Sequence, residues 1–234
     1  MTLNMEDSDN PDGGHSGTLS QKQGATRLLI LRNRRGTRLE DWCLDWPELT
    51  GEGTNSTFSV QQHIQSLIRK DPADISAILT LPAGQDDAVW QYEHLRQICS
   101  ELNGLFVVLA EECDPLICPD MKAAEWLYLC AAHPAPQSCS AIDYIVHTID
   151  GAAALLNNSG MFPSRITIPK ESTKHMQNIA RRLYRIFAHT WYHHKELFVE
   201  FEMTTHLYER FLDLTTKRYP MISEKLVIIP SNIM

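Results

Sequence analysis

The chain has 234 residues, 43% hydrophobic and 21% charged, the mix of a folded protein with a sizeable core rather than of a disordered chain. Its 21 Lys and Arg against 29 Asp and Glu leave a formal net charge of −8. That excludes general nucleic-acid binding, whose affinity comes from cations placed on phosphates. No apolar run reaches the roughly 18 residues that a bilayer-spanning helix needs. The start carries Glu6, Asp7, Asp9 and Asp12, not the basic-then-apolar order of a signal peptide. A cytoplasmic protein is expected, and its six cysteines are then thiols or metal ligands rather than disulfides.

Residues 1–24 are rich in Ser, Gly, Asp, Asn and Gln and read as a disordered acidic and polar tail; residues 25–234 read as one domain. Thr26 to Leu31 is an apolar run for a strand or buried extended chain, followed by a basic loop, Arg32 to Arg38. Trp42 and Trp46 sit in loop-like sequence that they can pin to the body. Val60, Ile64, Leu67 and Ile68 follow the helical repeat. Tyr92, Leu95, Cys99, Leu102, Phe106 and Leu109 form a longer stripe, ending near Ala110. Ala123 to Ala132 reads as a further helical stretch, and Ala141 to Leu156 as a helix with Ile145, Ile149, Ala152 and Leu156 on one face. Ile166 to Ile168 is a short strand candidate between Pro163 and Pro169. Ser172 can cap a helix that runs to about His194 and buries Ile179, Leu183, Ile186, Phe187 and Thr190. Leu197 to Tyr219 continues as helix after a bend, and Leu226 to Ile229 is extended. Long amphipathic helices with few strands predict a mainly α, bundle-like domain.

Cys113-x4-Cys118 lies in a loop stiffened by Pro115 and Pro119, a half-site for zinc. The segment His189-Thr190-Trp191-Tyr192-His193-His194 offers the other half, completing a Cys2His2 set. Incidental cysteines and surface histidines are the alternative that spacing leaves open. At 100° per residue, His189 and His193 stand ~40° apart but His189 and His194 ~140°, so regular helix geometry favours His193. On the same helix Arg181, Arg182 and Arg185 fall at ~200°, ~300° and ~240° from Ile179, opposite the apolar stripe. Such a face can be simply solvated, or it can bind phosphate, which guanidinium groups hold through paired N–H donors.

The chain lacks a phosphate-binding Gly-Lys loop, a dinucleotide Gly motif, a nucleophile elbow and a His-Glu-x-x-His helix. Asp143, His147 and Asp150 share one helix face and are the sole catalytic-looking group; a structural hydrogen-bonded cluster is the plainer account, and a metal-dependent hydrolase is kept as the distant alternative. The Asn55 and Asn157 glycosylation patterns read as chance in a cytoplasmic chain.

Longer segments carry a resemblance. They are the basic start from Leu31-Arg32 to Gly36-Thr37, Val60-Gln61-Gln62, Gln85-Asp86, Trp90-Gln91-Tyr92-Glu93-His94-Leu95-Arg96-Gln97 and Glu101-Leu102-Asn103-Gly104-Leu105. Further on come Cys130-Ala131-Ala132-His133, Ala141-Ile142-Asp143-Tyr144, Phe162-Pro163-Ser164-Arg165 and Arg181-Arg182-Leu183-Tyr184-Arg185-Ile186-Phe187. Together they resemble the Mob family of kinase-binding adaptors, and within it the phocein branch, from about Leu31 to Pro230. Arg35 and the segment Pro134-Ala135-Pro136-Gln137 depart from that branch, and residues 1–24 have no counterpart in it.

The resemblance implies a four-helix bundle core with additional helices and a small β-hairpin. It implies one structural zinc held by Cys113, Cys118, His189 and His194, so that it selects His194 over His193. It also implies phosphothreonine recognition by Arg181, Arg182 and Arg185. The expected function is a non-enzymatic adaptor in a striatin-type phosphatase–kinase assembly, binding a striatin-type scaffold and a phosphorylated Mst-type germinal-centre kinase, with protein phosphatase 2A reached indirectly. Hippo-type signalling, and a cytoplasmic site with perinuclear, Golgi or vesicle-surface association, are the setting this implies. The alternative within the family is a co-activator on the N-terminal region of an NDR-type kinase.

Overall fold

A computed structural model describes residues 59–230. The tail, the Thr26–Leu31 run, the basic loop and the Trp42–Pro47 segment lie outside the described residues.

Helix α1 (Ser59–Lys70) and the short α2 (Ile75–Leu79) lead into α3 (Asp87–Leu109), the longest helix described. Asp86 starts α3 by accepting a hydrogen bond from the Val89 amide at 2.9 Å. The expected stripe is buried apart from the half-buried Phe106, but the apolar face is wider, adding Val89, Trp90, Ile98 and Leu105. The extra width is used because α1, α4 and α5 all pack on α3. Helix α4 (Ala141–Leu156) is started by Ser140, whose hydroxyl accepts from the Asp143 amide and donates to the Asp143 carboxylate. Helix α5 (Thr173–His193) packs on α3, α4 and α6 (Lys195–Thr205). All five residues expected on its buried face are buried.

The stretch after α5 breaks at His206, whose left-handed φ of 47° ends α6 and separates it from α7 (Leu207–Leu212). The buried Glu202 carboxylate satisfies the new helix start, accepting from the amides of Tyr208 at 2.7 Å and Glu209 at 2.8 Å. A π-helical turn over Asp213–Arg218 follows. Two ion pairs, each with one fully buried partner and one half-buried, lock α3 to distant chain. Arg165 forks onto Glu93 at 2.7 and 2.6 Å, and Arg210 reaches Glu101.

Three sequence expectations are corrected. Residues 123–132 are not helical. Lys122–Ala123 (β1) pairs antiparallel with Trp126–Leu127 (β2), turning through Ala124 at φ 49°, and Cys130 then bridges to Gln137. Trp126, Leu127 and Leu129 stay exposed, so this segment has no buried stripe to reward a helix. Ile166 to Ile168 forms no strand, because nothing among the described residues pairs with it; Ile168 is buried, Ile166 is exposed, and Arg165 anchors the segment instead. Ser172 does not cap α5: its hydroxyl donates to the Met161 carbonyl. Among the described residues, no helix is long and apolar enough to cross a membrane.

Candidate functional site

The Cys113–Cys118 loop follows the end of α3, and the Cys118 amide closes it on the Asp114 carbonyl at 2.8 Å. It faces the last turn of α5. Cys113 Sγ stands 3.4 Å from His189 Nε2, and Cys118 Sγ 3.5 Å from His194 Nε2. One donor atom from each of the four residues falls within 4.8 Å of the other three, and all four residues are buried. Ligands held tetrahedrally at about 2.3 Å (sulfur) and about 2.0–2.1 Å (nitrogen) stand about 3.5 Å apart, so the spacing fits a tetrahedral cation.

The surroundings favour the same role. His189 Nδ1 lies 2.7 Å from the Lys122 carbonyl, which only accepts, so Nδ1 carries the proton and Nε2 is left bare toward Cys113. Burial holds His189 down at about 4, keeping the imidazole neutral, the form that ligates. Burial pushes the Cys113 thiol up to about 12, with the Cys118 sulfur adding to the rise. Without a cation these sulfurs stay protonated; with one they can be thiolates. Glu112 Oε2 stands 3.6 Å from His194 Nδ1 on the outer side.

His194 joins the cluster because α5 stops one residue earlier. Its φ of −138° and ψ of 54° leave the helix, and the ring swings inward. His193 keeps the helical position one turn beyond His189, stacks on that ring at 4.7 Å, and remains exposed. The ~140° separation of an unbroken helix is therefore removed by the helix end.

The arginines do not all share one place. Arg181 and Arg185 line a groove of about 240 Å³ between α5, the hairpin and the C-terminal segment, with Trp126, Tyr128, Tyr184 and Lys225. Arg185 donates to the Tyr144 hydroxyl at 2.6 Å and lies over the Tyr128 ring at 4.9 Å. Arg181 reaches Asn178 at 2.6 Å and is otherwise exposed. Arg182, further round the helix, lines a different groove against α4 with His175 and Thr148. Lys225 was not singled out by sequence; it comes from a segment 40 residues further along, and no spacing rule links it to Arg185.

The expected Asp143, His147 and Asp150 group does not assemble as an acid–base set. Asp143 is engaged by Ser140 at the start of α4, and His147 turns to the sulfurs of Cys130 and Cys139.

Comparison with known proteins agrees with this architecture. The family model described as Mob1/phocein family matches residues 66–229. MOB kinase activator-like 4 of Drosophila melanogaster is 48% identical over 206 residues, 88% of this chain and 92% of that protein. MOB-like protein phocein of Caenorhabditis elegans is 48% identical over 202 residues, 86% of this chain and 90% of that protein. The DBF2 kinase activator protein MOB1 of Saccharomyces cerevisiae is 27% identical over 165 residues, 67% of this chain and 52% of that protein. A helical core of this order, matched along most of its length, makes the chain a member of the Mob1/phocein family, on its phocein-like side.

Proposed function

We propose that the chain is a non-enzymatic adaptor that docks a phosphorylated kinase segment in the groove beside α5. The observation that carries this reading is the meeting of Arg181, Arg185 and Lys225 with Trp126, Tyr128 and Tyr184 around one open groove. In a chain of net charge −8, three cations on one groove are a local exception. Guanidinium groups take phosphate oxygens through charge-assisted paired bonds, and the aromatic walls accept the apolar neighbours of a phosphothreonine. Arg182 sits outside the groove and acts on flanking residues of the same peptide.

Zinc held by Cys113, Cys118, His189 and His194 is structural in this reading. When bound it supplies a closed tetrahedral centre that fixes the loop to the end of α5, and four protein ligands leave no open position for catalysis. The partners follow from the likeness to phocein: a striatin-type scaffold, an Mst-type germinal-centre kinase and, indirectly, protein phosphatase 2A, in the cytoplasm and at Golgi or vesicle surfaces. The second reading, co-activation of an NDR-type kinase, is favoured by the yeast relative named as a kinase activator, but that likeness is 27% against 48% for the phocein-like relatives.

Calorimetric titration of Mst-type kinase linker peptides with and without phosphothreonine tests the groove. The phosphorylated form should bind at least tenfold tighter. Equal binding of both forms would remove the phosphopeptide role. Affinity purification read for striatin and kinases separates the two assemblies.

A further inference from the structure

Away from that centre, a second group of four ligand-type side chains meets. We propose that Cys130, His133, Cys139 and His147 form a second tetrahedral zinc site, so that the chain carries two zinc ions and not one.

Their donor atoms, one per residue, all fall within 4.8 Å of one another. Cys130 Sγ is 3.5 Å from His147 Nδ1, Cys139 Sγ is 4.0 Å from the same nitrogen, and His133 Nε2 is 3.0 Å from Cys139 Sγ. These separations bracket the edge of about 3.5 Å expected between sulfur and nitrogen ligands of one zinc. The two rings stand at 85° with centroids 5.0 Å apart, edge to face. The rings are not stacked, and one nitrogen of each, His133 Nε2 and His147 Nδ1, lies beside the Cys139 sulfur.

The chain between them is built to present these atoms and little else. Cys130 and Gln137 exchange backbone hydrogen bonds at 2.7 and 3.2 Å, pinching residues 131–136 into a closed loop with Pro134 and Pro136 in it. Ala131, Ala132 and residues 134–138 are exposed, whereas Cys130 is buried and His133 and Cys139 half-buried. The loop thus has no apolar core of its own. Its inward-facing side chains are the thiols and imidazoles, and they meet His147 from the second turn of α4. Thiols are weak hydrogen-bond donors, so sulfur–imidazole hydrogen bonds alone are a poor reason for four such groups to converge. Two sulfurs and two imidazoles at one point are the ligand set of a structural zinc.

The test counts metal. Protein purified without chelator and with reductant is measured for zinc per chain by native mass and elemental analysis. Two equivalents are expected in the parent, and one in Cys139→Ser and in His147→Gln. The paired variants guard against a single misfolded one, and circular dichroism reports folding in each. Cobalt exchanged into the parent should give tetrahedral thiolate bands of about twice the intensity seen in His147→Gln. A parent that holds only one equivalent, unchanged by either substitution, overturns the second site. So does a parent whose mass shows a Cys130–Cys139 disulfide and one metal. Neither result touches the kinase-peptide reading, which is measured separately.

Discussion

The two thiol–imidazole clusters offer the same donors in different settings. At the first, Cys113 and His189 are 76 residues apart in sequence and every ligand is buried. At the second, Cys130 and His147 are 17 apart, and three of the four ligands are only half-buried. Closing the longer loop removes more chain entropy from the unfolded state, by about 1.3 kcal/mol from (3/2)RT ln(76/17). That difference is modest. The larger one is what each clasp joins. The first ties the end of α3 to the end of α5, two helices of the core. The second ties an exposed loop to α4. With metal bound, long-range closure would make the first a determinant of folding, and local closure would make the second a determinant of where one loop sits.

The sharpest way to break the comparison is to empty the first site. Cys113→Ser leaves a buried, half-formed ligand set, and metal binding there is coupled to folding. A loss of several kcal/mol is expected, lowering the melting temperature by about 10 °C or more at roughly 2–4 °C per kcal/mol for a chain of this size. An unchanged melting temperature with zinc retained would show that the cluster is not the stabilising centre. A chelator added slowly to the parent should strip the half-exposed second cluster first, with little unfolding, and the buried first one later, with cooperative unfolding. Simultaneous release would erase the distinction.

Acid would also strip metal from either cluster, so its effect on folding must be separated from a group outside both. His94 is buried against Trp90, with ring centroids 4.6 Å apart, and its Nε2 has no hydrogen-bond partner among the described residues. Burial, with Arg210 and His63 adding, pushes it down to about 3 from 6.5. The native state therefore keeps His94 neutral while the unfolded chain takes up a proton as pH falls through 6.5. Its contribution is fully present above that value and is lost as pH falls toward 3. Between pH 7 and pH 5 this single proton costs at most about 2 kcal/mol. Denaturant unfolding at both pH values should show a smaller drop in His94→Gln than in the parent. Equal drops would assign the acid sensitivity to the metal clusters.

For the groove beside the hairpin, Arg185 is the residue to remove. A charge-assisted bond contributes roughly 1.5–3 kcal/mol, so Arg185→Ala should weaken a phosphothreonine peptide about tenfold, while Arg182→Ala, outside the groove, should cost less. Arg185→Lys should rescue in part only, because an ammonium lacks the planar fork. If Arg182→Ala costs as much as Arg185→Ala, the peptide covers both faces of α5.

The sequence made the helices legible wherever one apolar stripe met one core surface. Ile145, Ile149, Ala152 and Leu156 are all buried on α4, and Ile179, Leu183, Ile186 and Phe187 on α5. It misled where a segment serves a groove or a clasp instead of the core. The apolar residues of 123–132 read as a helix, yet Trp126 and Tyr128 line the groove beside Arg185. The same misreading hid the second cluster. Cys130-x2-His133-x5-Cys139-x7-His147 is visible as a spacing, but Cys130 lies in a stretch that reads as helix, and His147 shares its helix face with Asp143 and Asp150. For the first cluster, helical spacing pointed to His193. The swing of His194 depends on where α5 ends, which a periodicity does not specify. Lys225 reaches the groove through the course of the C-terminal segment alone.

The smallest expected effect joins the two regions. Tyr128 lies two residues before Cys130, and Tyr144 one turn before His147. These tyrosines are the ones that hold Arg185, through the ring at 4.9 Å and the hydroxyl at 2.6 Å. An ion at the second cluster would thus fasten the chain bearing Tyr128 to the helix bearing Tyr144, and fix the wall against which Arg185 is aimed. Removing it does not delete a phosphate donor, so the loss is one of positioning: extra freedom of one side chain, about 0.5–1.5 kcal/mol at the peptide site. Cys139→Ser should therefore weaken the phosphopeptide about threefold, well short of Arg185→Ala, with the melting temperature nearly unmoved. In the Arg185→Ala background the same substitution should have no further effect on affinity, because the group it positions is gone. Independent, additive losses would mean that the second cluster holds its loop for some purpose other than the groove. An unchanged affinity with one zinc fewer would leave the metal site standing and detach it from peptide recognition.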